Sequence, residues 1–511
     1  MKLSTLTDRL AILSLTGRER SVDPEIEAIC YDSRKAAPGS LFVAIEGLAV
    51  DGHRFIPDAL ARGAAAVVCS RPVEADVPIV YVKDSRAALA QLACRLYGDP
   101  ATEMTLVGVT GTNGKTTVTY LLEAILKQAG LRPGVVGTIN YRYADEVFDN
   151  PVTTPESLEL QAILRQMAAA DVTHAVMEVS SHALDLHRVD GCRFDLAVFT
   201  NLTQDHLDHH GDMESYWACK RRLFIDYLKP VDDRYPLRAA VNTDDPRGAE
   251  LAGSMGPAAL RTAAYGDGNV VPLGVIRDLD GIRGSIATPQ GEVPFDSPLV
   301  GDFNLENILS AAGAALALGV PPASIGAGID AATCVPGRLE RIPHKTGCTV
   351  FVDYAHTPDA LENAITALRA LTSARIITVF GCGGDRDTGK RPLMGEIAAR
   401  CSDLAVVTSD NPRSEDPLAI IAQVEPGVRQ AGNRKISMAA LGDGWQGPAY
   451  LVEPDRRAAI ETAIRSAESG DAVLIAGKGH ETYQILASET IHFDDREAAR
   501  QVLAQIGQAG A

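Results

Sequence analysis

Apolar residues along this chain come in two formats, short unbroken runs and longer stretches spaced at three and four. Ser40 to Ile45 and Ala65 to Val68 are short apolar runs with β character. Residues 84–97 (DSRAALAQLACRLY) carry helical spacing behind an Asp84 or Ser85 cap. Gly98-Asp99-Pro100 breaks the pattern and sets a first boundary. Residues 104–110 (MTLVGVT) predict a buried strand, followed by a glycine-rich turn and a helix (TTVTYLLEAILKQAG). Two more apolar strands are predicted at 172–179 (VTHAVMEV) and 194–200 (FDLAVFT), and the β-loop-α order implies a parallel sheet. Residues 265–300 alternate short polar and apolar pieces, as a small antiparallel excursion would. Residues 304–318 (NLENILSAAGAALAL) predict a strong helix. Pro321-Pro322 and Pro336-Gly337 punctuate the chain after this helix, and a second boundary falls near Val335.

The last third repeats one arrangement: an apolar strand, then a polar loop rich in glycine or acid. The segments are VFVD-YAHTP (350–358), IITVF-GCGGDRD (376–387), LAVVTSDNPR (404–413) and AVLIAGKGHE (472–481). Ligands of open parallel sheets bind beyond the carboxyl ends of the strands, so these loops should share one sheet edge. The expected fold class is α/β in three domains, spanning 1–100, 101–335 and 336–511. The central one is a P-loop-type parallel-sheet domain and the last is Rossmann-like. A length of 511 residues fits that count at roughly 150 residues per domain.

Composition narrows the classes. Hydrophobic residues are 46% and charged residues 22%, as in a soluble globular protein. With 48 Lys and Arg against 66 Asp and Glu, the net charge is −18, which opposes nucleic acid and anionic lipid as partners. A local basic pocket can still hold an anionic substrate. No apolar run is long enough for a transmembrane helix, and Met1-Lys2-Leu3-Ser4-Thr5-Leu6 leads into charged residues without an apolar signal core. The nine cysteines are scattered without CxxC spacing, which points to reduced thiols and a cytoplasmic location.

TGTNGKTT (110–117) stands between the predicted strand and helix, the context a phosphate cradle requires. Gly111, Thr112, Asn113 and Gly114 would bring backbone N–H groups to phosphate oxygens at a helix N-terminus. Lys115 would neutralise the phosphates, and the Thr116 hydroxyl, beside Thr117, would ligate Mg²⁺. The first glycine sits closer to the GK than usual, with Val109 at the ordinary position, so the loop is a shortened variant. Glu178 ends a strand ahead of Ser180-Ser181-His182 and is a natural Mg²⁺ ligand. NLTQDHLDHHG (201–211) holds His206, His209 and His210. Zinc is the rival metal, but a strand-end loop without a separate ligand pair favours Mg²⁺ with a nucleotide. From its own surroundings, Lys220 in YWACKRRLF is an ordinary helix lysine.

TGTNGKTT, EVSSHAL, NLTQDHLDHH with Lys220, GDFNLENILSA, PGRLE, VDYAHTPDAL, DNPR and GKGHE, in this order between residues 30 and 481, resemble the Mur ligase family. The resemblance implies an N-terminal UDP-binding domain, a central ATPase domain and a Rossmann-like amino-acid-binding domain. It implies an ATP-driven amide bond made through an acyl phosphate. The reaction adds meso-2,6-diaminopimelate to UDP-N-acetylmuramoyl-L-alanyl-D-glutamate in peptidoglycan precursor synthesis. Lys115, Lys220 and His206 would be catalytic, with Lys220 carbamylated. Thr116, Glu178, His206 and Lys220 would serve the Mg²⁺ ions. Asn304, Asn307, Arg338 and Asp353 would contact the ATP adenine and ribose, with His356 close by. Ser33 and the turn Gly47–Gly52, with Leu48, Ala49 and Val50, match the UDP site. Thr153, Thr154, Ser180 and Arg188 match the muramoyl-dipeptide site. Diaminopimelate differs from lysine by a carboxylate at its far end, which favours a planar bidentate arginine. Arg413 of the substrate-binding motif Asp410-Asn411-Pro412-Arg413, with Arg386, would read it, while Gly477 and Glu481 take the distal amino end.

Other readings make different demands. A folylpolyglutamate-type ligase would lack the UDP-binding domain and the DNPR arginine. A P-loop switch or motor would hydrolyse nucleotide without a small acceptor. A non-enzymatic UDP-sugar binding module would tolerate Lys115→Ala. The partners expected are small molecules, and a monomer is expected.

Overall fold

The computed structural model describes residues 1–17, 22–47, 50–230, 236–344, 347–442, 445 and 447–509. The chain divides into two compact units. The first is Met1–Val271 with Ala287–Gly291 and Glu306–Gly328; the second is Pro272–Ile286 with Glu292–Leu305 and Ile329–Ala511.

The first unit holds two sheets. The N-terminal sheet is built from β1 (Ile12–Thr16), β2 (Ala28–Cys30), β3 (Ser40–Val43), β4 (Ala66–Cys69) and β5 (Ile79–Val82), in the order β1-β5-β4-β3-β2. Only β1 runs antiparallel. Its helices are α1 (Leu3–Leu6), α2 (Ile56–Ala61) and α3 (Ser85–Tyr97). Asp84 is the α3 cap, accepting from Arg86 N and Ala87 N, and Gly98 at φ 71° closes the helix. Asp and Gly fill these positions because one satisfies orphan N–H groups and the other tolerates the left-handed turn.

The central sheet contains β6 (Thr105–Thr110), β7 (Pro133–Val136), β8 (Asn140–Tyr143), β9 (Glu146–Asp149), β10 (His174–Glu178), β11 (Leu196–Phe199), β12 (Ala239–Asn242) and β13 (Ala259–Thr262). Its order is β13-β12-β11-β6-β10-β7-β8-β9. Every residue of β6 is buried, which explains its unbroken apolar run. The sheet is not wholly parallel as the β-loop-α pattern implied, because β8 and β9 add an antiparallel hairpin. Its strands are too short and too polar to announce themselves; stacked Tyr141 and Phe148 rings, 4.8 Å apart, hold the pair. The associated helices are α4 (Lys115–Gln128), α5 (Ser157–Ala169), α6 (Ser181–Asp185), α7 (Leu207–His210), α8 (Met213–Ile225) and α9 (Pro246–Met255). Helix α10 (Asp302–Ala317) belongs to this unit from Glu306 onward, and α11 (Pro322–Ala331) as far as Gly328.

The three-stranded sheet β14 (Val271–Asp278), β15 (Gly281–Thr288) and β16 (Gly291–Ser297) is the predicted excursion. The main sheet of the second unit contains β17 (Glu340–Arg341), β18 (Thr349–Asp353), β19 (Ile376–Phe380), β20 (Leu404–Val407), β21 (Arg434–Lys435), β22 (Ala449–Val452) and β23 (Ala472–Ala476). The order is β17-β18-β23-β19-β20-β22-β21, parallel except for β17. A small hairpin, β24 (Tyr483–Ile485) with β25 (Thr490–His492), comes next along the chain. Helices α12 (Pro358–Arg369), α13 (Lys390–Cys401), α14 (Pro417–Gln430), α15 (Met438–Gly442), α16 (Arg456–Ser466) and α17 (Asp495–Ala509) complete the unit. Phe351, Phe380 and Leu474 join one core; Val350, Val352, Ile377, Val379 and Ile475 join another. Neighbouring strand residues thus point into different cores, so both faces are covered and the strands read as continuous apolar runs. No helix among the described residues is long and apolar enough to cross a membrane.

Candidate functional site

In the first unit, β6 lies between β10 and β11, so three strand ends meet. The phosphate loop leaves β6. Glu178 closes β10. Thr200 and Asn201 follow β11. Asn201 shapes the loop from the side: its O accepts Thr112 N at 2.9 Å and its Oδ1 accepts Asn113 N at 2.9 Å. Thr200 Oγ1 donates to Asn113 O at 2.6 Å. A Cβ added at Gly111 would lie 1.9 Å from Thr200 Oγ1, and one at Gly114 would lie 2.2 Å from Asn307 Oδ1. Both glycines also sit at positive φ, so these positions admit no side chain. The N-cap residue of α4 is Gly114, which has no side chain to cap the helix. Its open N-terminus and the backbone cradle suit phosphate oxygens.

Two lysines point into this loop. Lys115 Nζ donates to Gly111 O and Thr112 O at 2.9 and 2.8 Å. Lys220, on α8 and 1% exposed, donates to Gly111 O at 2.8 Å, with the Tyr216 ring centroid 4.5 Å away. Burial, then the Lys115 charge, drives the Lys220 amine well below the ordinary lysine range.

The histidines cluster. His182 packs against His206, His209 and His210 at 4.8, 4.3 and 5.6 Å between ring centroids. His209 Nε2 meets Asp185 Oδ2 at 2.8 Å, and His210 Nε2 meets Ser181 Oγ at 2.9 Å. Burial lowers His206 against the pull of Asp205, with Lys115 and Lys220 adding to the lowering, which favours the neutral imidazole, the form that ligates metals. Glu178 is 1% exposed and accepts from Thr138 N and Thr138 Oγ1, each at 2.9 Å. Thr116 is buried at the start of α4. Among the described residues no three His, Cys, Asp or Glu side chains form a metal cage. Mg²⁺ is usually held by one or two protein groups and substrate phosphates, so this donor set fits it.

Beside Glu178, the dipeptide candidates converge. Thr154 Oγ1 donates to Glu178 O at 2.8 Å and accepts from Ser180 N at 3.1 Å. Thr153 Oγ1 is 3.1 Å from Thr138 Oγ1. Arg188 donates to Thr154 O at 3.0 Å, and its Nε lies 3.7 Å from Glu156 Oε2. Glu156 also pairs with Arg86 at 2.8 Å, and Arg86 Nε donates to Glu46 O. Ser33 is buried in a short 3₁₀ turn after Asp32. Of the matching glycine turn, Leu48 and Ala49 lie outside the described residues, while Val50 O accepts from Gly47 N at 3.0 Å.

In the second unit the four strand-end loops do share one edge, since β18, β23, β19 and β20 are parallel neighbours. On the β18 side, Asp353 accepts from Leu339 N and Ala355 N at 2.6 and 2.8 Å. Burial raises its carboxyl, against the pull of Arg338. Arg338 lies 5.1 Å from the Tyr354 ring centre, and His480 packs on the same ring at 4.9 Å. Neither Arg338 Nε nor His480 Nδ1, both buried, has a hydrogen-bond partner among the described residues. His356 also packs on Tyr354, at 4.6 Å. Asn304, in this unit, donates to Val300 O at 2.8 Å, whereas Asn307 stands at the phosphate loop of the first.

On the β20 side, DNPR and GKGHE meet. Asn411 Nδ2 donates to Glu481 Oε2 at 2.9 Å. A Cβ at Gly477 would sit 3.3 Å from Asp410 Oδ2. Pro412 is buried; Arg413, at φ 52°, donates to Gly384 O at 2.8 Å. A Cβ at Gly383 would reach both Arg413 NH1 (3.0 Å) and Arg386 Cγ (3.9 Å), so these two arginines are brought together, Arg386 on the exposed side. Sequence reasoning missed Thr138, Asn201, Glu156, Lys478 and His480. Lys478 and His480 were visible inside GKGHE, and Asn201 at the head of NLTQDHLDHH; Thr138 and Glu156 carry no local signal, because their roles depend on contacts distant in sequence.

Family models describe three stretches of the chain: "Mur ligase family, catalytic domain" over 25–97, "Mur ligase middle domain" over 109–315 and "Mur ligase, glutamate ligase domain" over 337–479. The chain is 47% identical, over 99% of both lengths, to a UDP-N-acetylmuramoyl-L-alanyl-D-glutamate–2,6-diaminopimelate ligase of Geobacter metallireducens. A solved structure of a ligase of the same title is 32% identical, covers 94% of this chain and 95% of its own, and gives a TM-score of 0.67. A Mycobacterium tuberculosis folylpolyglutamate synthase complexed with ADP and AMPPCP is 18% identical, covers 82% of this chain and 95% of its own at a TM-score of 0.58, and shares the fold.

Proposed function

The chain belongs to the Mur ligase family, and from that premise we propose that it joins meso-2,6-diaminopimelate to UDP-N-acetylmuramoyl-L-alanyl-D-glutamate with ATP, in peptidoglycan precursor synthesis in a bacterial cytoplasm. The observation that carries this is the meeting of β10, β6 and β11. Thr154, Ser180 and Arg188 gather at Glu178, whose strand pairs with the one leading into the phosphate loop, and this supports reading them as the dipeptide site.

ATP phosphorylates the substrate carboxylate to an acyl phosphate. The diaminopimelate amine then attacks its carbonyl carbon. The first step releases ADP; in the second the C–N bond forms, the C–O bond to phosphate breaks, and the amine's proton passes to the departing phosphate, leaving the amide. Positioning and charge neutralisation are the main demands of such a transfer. Lys115 exchanges its loop carbonyls for phosphate oxygens. Thr116 and Glu178 would hold one Mg²⁺ and His206 another, and the ions would supply Lewis-acid stabilisation of phosphoryl charge. A carbamate on Lys220 would replace its ammonium with an anionic neighbour for Lys115. Arg338 and Asp353 take the nucleoside, with Asn304 and Asn307. Arg413 and Arg386 take the far carboxylate of diaminopimelate; Glu481, Asp410 and the Gly477 turn take its far ammonium. Ser33 and the turn after Glu46 take the UDP portion. The domains of this reading are a UDP-binding one over 1–100, an ATPase one over 101–335 and an amino-acid-binding one over 336–511.

The test is phosphate release with ATP, Mg²⁺ and UDP-N-acetylmuramoyl-L-alanyl-D-glutamate, supplying meso-diaminopimelate or L-lysine in parallel. Release only with diaminopimelate is expected. Release only with lysine would sink the specificity, and release with neither would leave a bare NTPase.

A further inference from the structure

Lys478 lies at the centre of the DNPR–GKGHE junction with no exposed surface. Its Nζ has three acceptors: Asn411 Oδ1 at 3.0 Å, Glu481 Oε2 at 3.3 Å and Asp410 Oδ1 at 3.5 Å. The Tyr483 ring centre is 5.7 Å away. A buried lysine is costly unless its charge is matched. Here it is matched by the two carboxylates that the proposed function assigns to the substrate's far ammonium. The other buried cation nearby, Arg456, is committed to Asp495 at 2.7 Å, both fully buried.

Among the buried and half-buried side chains of this junction the charges therefore balance: Lys478 and Arg413 carry two positive charges, and Asp410 and Glu481 two negative ones, with Arg386 on the exposed side. The far end of diaminopimelate, one carboxylate and one ammonium, is also neutral overall. The far end of lysine is a lone cation. Without Lys478 the same junction carries a net negative charge, and a lone ammonium becomes its natural guest. Selectivity against a close analogue commonly uses a repulsive group as well as attractive ones.

We propose that Lys478 is a specificity-determining residue: its buried ammonium occupies Asp410 and Glu481 so that they accept a zwitterionic side-chain end and disfavour a lone cation. The proposal rests on the assignment of this junction to diaminopimelate. Lys478 needs no contact with the substrate; it acts through the carboxylates it holds.

The experiment measures kcat/KM for meso-diaminopimelate and for L-lysine in the full-length enzyme and in Lys478→Met, Glu481→Gln, the double variant and Arg413→Met, with folding checked by circular dichroism and thermal melts. Lys478→Met is expected to lower the diaminopimelate-to-lysine ratio by about tenfold or more, mainly by raising the lysine value. Adding Glu481→Gln to it should return the ratio towards wild type, which a merely structural lysine would not do. Glu481→Gln alone, which leaves Lys478 on Asp410 and Asn411, should raise the ratio. It decides the matter if Lys478→Met does not fold. A ratio that stays fixed in the folded Lys478 and Glu481 variants, while Arg413→Met collapses it, overturns the proposal and leaves the assignment of the junction intact. A wild-type enzyme without preference for diaminopimelate, or an Arg413→Met enzyme that keeps it, overturns the assignment itself.

Discussion

Lys115 and Lys220 donate to the same backbone oxygen, that of Gly111, at 2.9 and 2.8 Å. Two ammonium groups so placed repel, and the buried one yields. Lys220 is held well below the ordinary lysine range by burial and by Lys115. A neutral amine is the form that adds CO₂. Mass spectrometry under bicarbonate is expected to show one added CO₂ on Lys220. Lys220→Ala should lose turnover by about a hundredfold or more, as removal of a group stabilising transition-state charge does. Short carboxylic acids should restore part of it. Full activity in Lys220→Ala would remove the lysine from the chemistry.

The phosphate loop has no room for side chains at its glycines. Gly114→Ala meets Asn307 Oδ1 at 2.2 Å with φ at +86°. It should cost about 1–3 kcal/mol of stability and weaken ATP binding. Gly130→Ala is the control: its φ is +74° but nothing lies within 4 Å. Calorimetric titration with ATP should find Gly130→Ala unaffected and Gly114→Ala weakened; equal binding by both would refute the cradle.

Arg413→Lys keeps the charge and loses the planar fork. It should lower kcat/KM for diaminopimelate by roughly tenfold to a hundredfold, since a good charge-assisted bond is worth a few kcal/mol. Steady-state kinetics with both amino acids check this, and an unchanged constant for diaminopimelate would rule out a bidentate clamp.

Acid should weaken the fold through its buried histidines. His480 is pushed from 6.5 to about 4 by burial, then by Arg338 and Arg496. His182 reaches about 4 by burial and its three histidine neighbours. Between 6.5 and about 4 the unfolded chain binds protons that the folded chain refuses, so stability falls as pH drops through that window. His480→Gln should flatten this fall in denaturant melts. An equally steep fall in the variant would assign the effect to other groups.

Arg456 ties the second unit together. It pairs with Asp495 and donates to Ser409 O and Ala476 O, at the ends of two loops of the candidate site. Arg456→Met strands Asp495 and should cost about 3–5 kcal/mol. Chemical denaturation measures it; a loss below about 1 kcal/mol would show that Asp495 finds another partner or takes up a proton.

Much of this arrangement was legible in the chain because its signals are local. Lys115 stands between a strand and a helix that are unmistakable in pattern, and Asp410 follows a run of buried apolar residues. The antiparallel hairpin at Asn140–Tyr143 and Glu146–Asp149 was not legible, since half-exposed four-residue strands carry little periodicity. Predicted strands also overran: 172–179 shortened to His174–Glu178, because Val172 still belongs to the turn from α5, donating to Met167 O. Partners such as Thr138 for Glu178, or Asn201 for the phosphate loop, could not be read. Their hydrogen bonds span 40 and 88 residues, and no local pattern encodes that distance.

The N-terminal sheet is not a detachable module. Tyr31 donates to Glu159 at 3.0 Å, Arg86 pairs with Glu156, and Leu158 packs against the N-terminal core. All three partners sit on or beside α5, well past Gly98-Asp99-Pro100. A gene cut at that break would leave the first piece with an uncovered apolar seat and an unpaired arginine. Whoever dissects this protein for expression, or grafts its first hundred residues onto a relative, should carry α5 along with them.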